Sequence, residues 1–298
     1  MIHYPSFRQL QYLAALYQHQ HFGRAAESCF VSQSTLSTGI AQLEEALGAS
    51  LIERHHRKFV FTALGLEVVQ RAQKLLSQGK ELWEYVQEAS RPMSGAFYLG
   101  CIPTIAPFVV DDPLKQCSEQ FPQLQLYIRE LTSDEALREL QDGRLDTVLL
   151  ALPYSIGDVH SQIIAEDHFH VLMPENWVKK GITTSMKTWP KGSVLLLEEE
   201  HCLSGHAISA CRVQNKELLH HFKATSLYTL LQMIEQGMGL SFLPEIAIKK
   251  NILADMSVYH APMQDTHAHR VIALLWRKNS PRQKSFELLA AIIKSLFN

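Results

Sequence analysis

Phe22-Gly23-Arg24-Ala25-Ala26-Glu27-Ser28-Cys29-Phe30-Val31-Ser32-Gln33-Ser34-Thr35-Leu36-Ser37 carries two helical patterns on either side of a break. Phe22, Ala25, Ala26 and Cys29 form a short apolar stripe at helical spacing. After the break at Phe30-Val31, Ser32 can cap a helix through its side-chain oxygen. That helix runs to about Leu47, where Gly48 supplies a stop. Upstream, Phe7, Leu10, Leu13, Ala14 and Tyr17 recur with the same period. Two helices, a tight turn and a third helix fit a helix-turn-helix, whose third helix enters the major groove of DNA by its N-terminal residues. Beyond it, Leu51-Ile52-Glu53-Arg54 and Phe59-Val60-Phe61 read as a two-stranded wing, with His55-His56-Arg57-Lys58 as its basic tip.

The whole chain, at 298 residues, suffices for two or three domains with proper cores. A net charge of -2 excludes a polybasic protein, so any nucleic-acid surface is a local patch. Five cysteines are few and odd in number for a disulfide-built secreted scaffold. The start lacks a basic and then apolar leader, and no run of about 18 apolar residues occurs. These features are read as a soluble, cytoplasmic protein without a membrane partner, whose thiols begin reduced.

From Ala63 to about Ala89, Val68, Ala72, Leu75, Gly79, Leu82 and Val86 follow alternating steps of four and three, a seam that calls for a partner helix or for its own domain. Arg91-Pro92-Met93-Ser94-Gly95 ends it. Short apolar strands then alternate with helical patterns such as Asp134 to Gln141 and Leu227 to Gln236. Among the strands are Tyr98 to Ile102, Leu124 to Ile128, Val148 to Ala151, Phe169 to Leu172, Val194 to Leu197, Leu240 to Leu243 and Val271 to Leu275. That alternation is an α/β pattern.

Within it, Glu198-Glu199-Glu200-His201-Cys202-Leu203-Ser204-Gly205-His206-Ala207-Ile208-Ser209-Ala210-Cys211 holds two cysteines nine positions apart. In a helix that spacing puts their Cα atoms about 13 Å apart, whereas a disulfide needs about 7 Å or less. The pair can bond only if the segment unwinds. Gly205 costs such a helix about 1 kcal/mol relative to Ala. A free cysteine is most often a small buried hydrophobe. His201, Cys202, His206 and Cys211 are also conceivable zinc ligands, though not at a usual zinc spacing. The glutamate run is expected to face solvent.

Phe22-Gly23-Arg24-Ala25-Ala26, Val31-Ser32-Gln33-Ser34-Thr35-Leu36-Ser37, Gln42-Leu43-Glu44 and Leu47-Gly48 resemble the DNA-binding domain of LysR-type transcriptional regulators. The resemblance implies double-stranded operator DNA as partner. Ser32, Gln33, Ser34, Thr35 and Ser37 would face it, with Arg24, Arg54 and Arg57 near phosphates. Side-chain chemistry agrees: glutamine pairs with adenine edges, and hydroxyls reach bases or phosphates. Thr38-Gly39-Ile40-Ala41-Gln42 lacks the basic residues many members carry there, which shifts phosphate anchoring toward the wing.

The resemblance implies a winged helix-turn-helix domain over 1–62 and a linker and dimerisation helix over 63–90. A regulatory domain over 91–298 comes next, resembling periplasmic binding proteins. Its first subdomain would take about 93–163 and 268–298, and its second about 164–267. The chain resembles the peroxide-sensing OxyR branch of that family through several stretches. They are Leu197-Glu198, His201-Cys202-Leu203 and Cys211, then Phe222 to Leu227, Gly239-Leu240, Leu243-Pro244, Cys101 to Thr104, Glu130 to Thr132 and Trp276 to Pro281. Resemblance to the branch implies a regulator rather than an enzyme, without a cofactor or metal. Hydrogen peroxide would be the signal, Cys202 the peroxidatic and Cys211 the resolving cysteine of a reversible disulfide. Thr104, Thr132, His201 and Arg277 would line the peroxide pocket. A homodimer or tetramer that engages RNA polymerase and activates oxidative-stress genes is also implied. Bland readings stand beside these: Thr104 as a helix cap, His201 on the surface, Arg277 in an ion pair, and Cys101 and Cys117 as core packing. Where the branch has Arg-Asp-Gln, this chain has Ser204-Gly205-His206, so its reduced helix is expected to unwind more easily. A small organic ligand in the cleft and a Cys/His metal response remain as alternatives.

Overall fold

The computed structural model describes residues 4–55, 58–198, 202–263, 265 and 267–297. The chain forms two units, Met1–Val86 and Gln87–Asn298, each with its own hydrophobic core. Among the described residues no helix is long and apolar enough to cross a membrane.

The first unit opens with α1 (Phe7–His19), α2 (Phe22–Ser28) and α3 (Gln33–Leu47). Leu13, Leu16, Ala25, Leu36, Ile40 and Leu43 are fully buried where the three meet. Ser32 caps α3, its Oγ accepting from Thr35 N at 3.1 Å, and Gly48 ends it at φ 66°, a left-handed conformation that glycine adopts without a Cβ penalty. α2 has a cap that sequence reasoning missed: His21 Nδ1 accepts from Gly23 N and Arg24 N. Gly39 lets α1 and α3 touch, since a Cβ there would lie 2.5 Å from the Tyr12 ring. β1 (Ile52–His55) and β2 (Lys58–Phe61) form the antiparallel wing, with Ile52 opposite Phe61.

The long helix α4, Ala63–Ser90, divides the expected seam. Val69 and Ala72 are buried in the first unit's core, with Val68 packed against it. Gly79 sits under the Phe7 ring, where a Cβ would lie 2.4 Å from Phe7 Cε1. Leu75, Leu82, Trp83, Tyr85 and Val86 are exposed. The heptad positions therefore do not act as one line: the early ones complete the unit's own core, and an apolar surface remains on the later turns.

The second unit runs β3 (Gly95–Cys101), α5 (Ala106–Val109), α6 (Asp111–Gln120), β4 (Leu124–Glu130), α7 (Ser133–Gln141), β5 (Thr147–Leu152) and β6 (Val159–Pro174). It continues with α8 (Glu175–Lys179), β7 (Val194–Leu197), α9 (Cys202–Ala210), β8 (Leu219–Ala224) and α10 (Leu227–Glu235). β9 (Ser241–Pro244), α11 (Glu245–Lys249), β10 (Val258–Pro262), β11 (His269–Arg277) and α12 (Gln283–Lys294) complete it. The main sheet has the order β10-β6-β11-β5-β3-β4, with β9 also on β6, and β7 pairs β8 in parallel. β3, β4 and β5 are parallel, as the strand–helix alternation requires, and β11 returns antiparallel between β5 and β6.

β6 joins two lobes. Val159–His168 pairs with β11 in the first lobe, and Phe169–Pro174 pairs with β9 or β10 in the second. The apolar run at Phe169 to Leu172 predicts only a short strand. The observed strand has 16 residues, because its first half, one edge of the sheet, carries His160, Ser161 and Gln162, which hide the pattern.

Candidate functional site

α9 is where the lobes meet chemically. It comes after β7 in sequence yet lies against β5 and β11 of the first lobe as well as β7. Leu203, Ser204, His206 and Ala207 are all buried, so the helix has no wide polar face. Cys211 N donates to Ala207 O at 2.9 Å, which carries the helical pattern through to Cys211. Arg212 then turns the chain at φ 53°. Both cysteines are free thiols at opposite ends of an intact helix, about 13 Å apart by helix rise. Two polar tethers hold the helix: Ser204 Oγ donates to Leu197 O at 2.8 Å, and His206 Nε2 lies 2.9 Å from Pro153 O.

Cys202 is half-buried. Burial pushes its thiol pKa up; the Ser133 hydroxyl, the charge of Arg270 and its own backbone N–H pull the other way. Ser133 Oγ is buried and has no other hydrogen-bond partner, which leaves it to the sulfur. Arg270 is fully buried. Its Nε binds Asp167 at 2.9 Å, its Nη1 donates to Thr104 Oγ1 at 2.8 Å, and its Nη2 donates to Thr104 O at 3.0 Å. Asp167 also accepts from Ile246 N at 3.0 Å. Tyr154 is within electrostatic reach of Cys202; burial and its 2.6 Å bond to Asp134 push its hydroxyl up to about 12. The site thus gathers a thiol, two hydroxyls and a desolvated guanidinium. A peroxide oxygen needs that set: a nucleophile beside donors for the developing hydroxide.

Cys211 is buried among apolar groups, and burial, with Asp265 adding, pushes its thiol up to about 12. Cys101 and Cys117 are buried too, and burial raises both thiols, that of Cys117 to about 11.

The pocket residues expected from sequence fall out differently. Thr104 is bonded by both its hydroxyl and its carbonyl to Arg270, whose charge acts on Cys202. Thr132 caps α7, its hydroxyl donating to Glu135 Oε2 at 2.9 Å, so the adjacent Ser133 is the hydroxyl that reaches the thiol. Arg277 Nη1 donates to Leu140 O and Leu145 O, both at 2.7 Å, at the end of α7. The cation that acts on Cys202 is Arg270, seven residues earlier on the same strand, which sequence reasoning did not mark. His201 lies outside the described residues, as do Glu199 and Glu200, and Glu198 is exposed. The four-residue metal set fails on geometry while α9 stands, because zinc ligands crowd within about 4 Å of each other. Cys202 and Cys211 are a helix length apart, and His206 Nε2 is engaged by Pro153.

In the first unit Arg24, Ser32, Gln33, Ser34 and Thr35 are exposed and Ser37 half-buried. Ser32 both caps α3 and bonds the hydroxyls of Ser34 and Thr35 at 2.8 Å. Ser34, Thr35, Thr38 and Gln42 share a shallow pocket with Ser6, Arg8 and Gln9 of the α1 end. Arg8, held by Tyr12 OH at 2.7 Å, is a cation beside α3 that the motif did not mark. Arg57 lies outside the described residues, and of Arg54 only the backbone, opposite Phe59, is described.

Residues 7–66 match the bacterial regulatory helix-turn-helix proteins of the lysR family, and 90–298 match the LysR substrate binding domain. The HTH-type transcriptional regulator EstR of Acinetobacter baylyi is 37% identical over 98% of this chain and 97% of its own length. The dual regulator OxyR of Escherichia coli K12 is 35% identical, covering 97% and 95%. A full-length OxyR variant from Pseudomonas aeruginosa superposes with TM-score 0.79 at 32% identity, over 98% of this chain and 95% of that one. The reduced regulatory domain of OxyR2 from Vibrio vulnificus matches with TM-score 0.66 at 39% identity, over 69% of this chain and 97% of its own.

Proposed function

The chain belongs to the LysR family of bacterial DNA-binding regulators, and from that premise we propose that it senses hydrogen peroxide through Cys202 and Cys211. The thiolate of Cys202 attacks one peroxide oxygen, the O–O bond breaks, and hydroxide leaves to be protonated to water; the product is a sulfenic acid. Cys211 then attacks the sulfenic sulfur, an S–S bond forms, and a second water departs. Ser133 and the Arg270 charge hold the thiolate; Thr104 Oγ, which accepts from Arg270, keeps its own proton to donate to the leaving oxygen. Oxidation requires α9 to unwind, and the new loop changes how regulatory units pack and so how paired helix-turn-helix units space themselves on DNA.

The observation that carries this reading is the placement of Cys202. It heads a helix beside an otherwise unpartnered buried hydroxyl and a buried guanidinium, with a second cysteine reachable only by refolding of that helix. The OxyR names among the relatives support it. The exposed Leu75, Leu82, Trp83, Tyr85 and Val86 of α4 support a homodimer; a tetramer of two such dimers and recruitment of RNA polymerase are what the family resemblance implies. Ser32 to Thr35, Ser37, Arg24, Arg54 and Arg57 are assigned to DNA.

The test is peptide mass spectrometry of alkylated protein before and after equimolar peroxide. A Cys202–Cys211 disulfide forms in the wild type, and a sulfenate is trapped at Cys202 in Cys211→Ser. Both thiols remaining free at doses that oxidise no other residue end this reading. Because burial raises the Cys202 thiol, only a small fraction is thiolate near neutrality. The oxidation rate should therefore keep rising with pH beyond the ordinary thiol range; stopped-flow kinetics that level off below it would show that Ser133 and Arg270 outweigh burial at the sulfur.

A further inference from the structure

His206 stands one helical turn after Cys202, buried, at the place where α9 crosses to the loop after β5. Its partner there, Pro153 O, is a carbonyl and can only accept. Nε2 therefore carries the ring proton, and Nδ1 of the neutral imidazole is a bare acceptor. That Nδ1 is buried with no hydrogen-bond partner. A second proton on the ring would place a charge and an unsatisfied N–H there, which burial penalises.

We propose that His206 is a positioning residue whose neutral ring latches the reduced helix, and that protonation of the ring releases it, biasing the Cys202–Cys211 couple toward the disulfide in acid. The inference rests on the redox reading above and adds a second signal to it.

Burial opposes protonation, and among the groups around the ring Arg270 adds to it. β11 presents Arg270, paired to Asp167 of β6. The loop beyond β5 presents Tyr154, bonded to Asp134 of α7. α9 itself offers the neutral thiols of Cys202 and Cys211, and β7 offers only Val and Leu side chains. Burial and the Arg270 charge outweigh the Pro153 bond, so the ring holds its proton less readily than an ordinary histidine. An unwound segment returns the ring to water and to its ordinary affinity. The proton therefore binds the unwound state more tightly. The latch is fully present above the ordinary imidazole range, about pH 6.5, and is lost as pH falls below it.

The experiment equilibrates the full chain with reduced and oxidised glutathione from pH 5.5 to 7.5, without oxygen. The protein loses two S–H bonds and gains one S–S; glutathione does the reverse. No net proton moves below the thiol pKa values, so the exchange constant is flat unless another group is linked. In the wild type the constant should turn toward disulfide below about pH 6.5, approaching tenfold per pH unit. His206→Gln, which keeps a donor for Pro153 but cannot titrate, should be flat. His206→Ala, which loses the latch, should be flat and shifted toward disulfide at every pH. A merely structural histidine would shift the constant without a slope, so a flat wild type overturns the inference while leaving the disulfide intact. No disulfide in any of the three chains overturns the redox reading and the inference together.

Discussion

α3 and α9 are helices of similar duty, each carrying the residues that meet the outside world, yet they are held in opposite ways. α3 is closed at both ends by Ser32 and Gly48, and Leu36, Ile40 and Leu43 are fully buried beneath it. α9 begins at Cys202 and ends in a left-handed arginine. Gly205 in its middle leaves room for a Cβ that would meet nothing within 4 Å, and its polar anchors are two bonds to neighbouring carbonyls. α3 is built to present a fixed surface; α9 can leave its place by giving up the two bonds to Leu197 O and Pro153 O. Hydrogen exchange in the reduced protein should show residues 203–211 opening well before residues 36–43. Equal protection would abolish the contrast.

The largest effect is expected where α3 is anchored. Leu36→Ala removes a fully buried side chain and should cost about 2–5 kcal/mol, read as a lower unfolding midpoint of the DNA-binding unit and weaker DNA binding. Leu203→Ala in α9, of similar burial, should instead appear first as faster local exchange, because opening α9 does not require the whole unit to unfold. If Leu203→Ala moved only the global midpoint, α9 would be as cooperative with its unit as α3 is.

Next comes Ser204→Ala. It deletes the bond to Leu197 O, and the loss of a donor to a buried carbonyl costs about 1–3 kcal/mol. Exchange over 203–211 should accelerate and disulfide formation should speed up, with DNA binding by the reduced form unchanged. Ser32→Ala, the matching change in α3, costs about 1 kcal/mol through the lost cap. It should weaken DNA binding without altering the exchange of α9. Should either substitution affect the other helix, the two units would be coupled in the reduced state.

These differences explain what could be read from the chain. The ends of α3 are legible because capping is local: Ser32 and Gly48 act on neighbours within four residues. The wing and the strand–helix alternation are legible through period alone. The role of Arg270 is not, since it depends on a bulged strand pairing that brings β6 and β11 together and on burial against Thr104, distant in sequence. Arg277 on the same strand looks equivalent in sequence, and its carbonyl partners at the end of α7 appear only in three dimensions. Thr132 and Ser133 differ for a similar reason: one hydroxyl is consumed by a capping box, and the next is left to the thiol. His21 as a cap and His206 as a latch escape notice because histidine is seldom chosen for either task.

The smallest expected effect tests the proposed reason that α9 opens readily. Gly205 is exposed at an ordinary helical position, and a Cβ there meets nothing within 4 Å. Gly205→Ala can therefore act only by lowering the backbone entropy of the unwound state, favouring the helix by about 1 kcal/mol. It alters no tether, no charge and no packing contact. Exchange over 203–211 should slow by roughly fivefold, and if unwinding limits disulfide closure, closure should slow by a similar factor while sulfenate formation at Cys202 keeps its rate. Slower exchange with unchanged closure would place the slow step after unwinding, in the approach of Cys211 to the sulfenic sulfur.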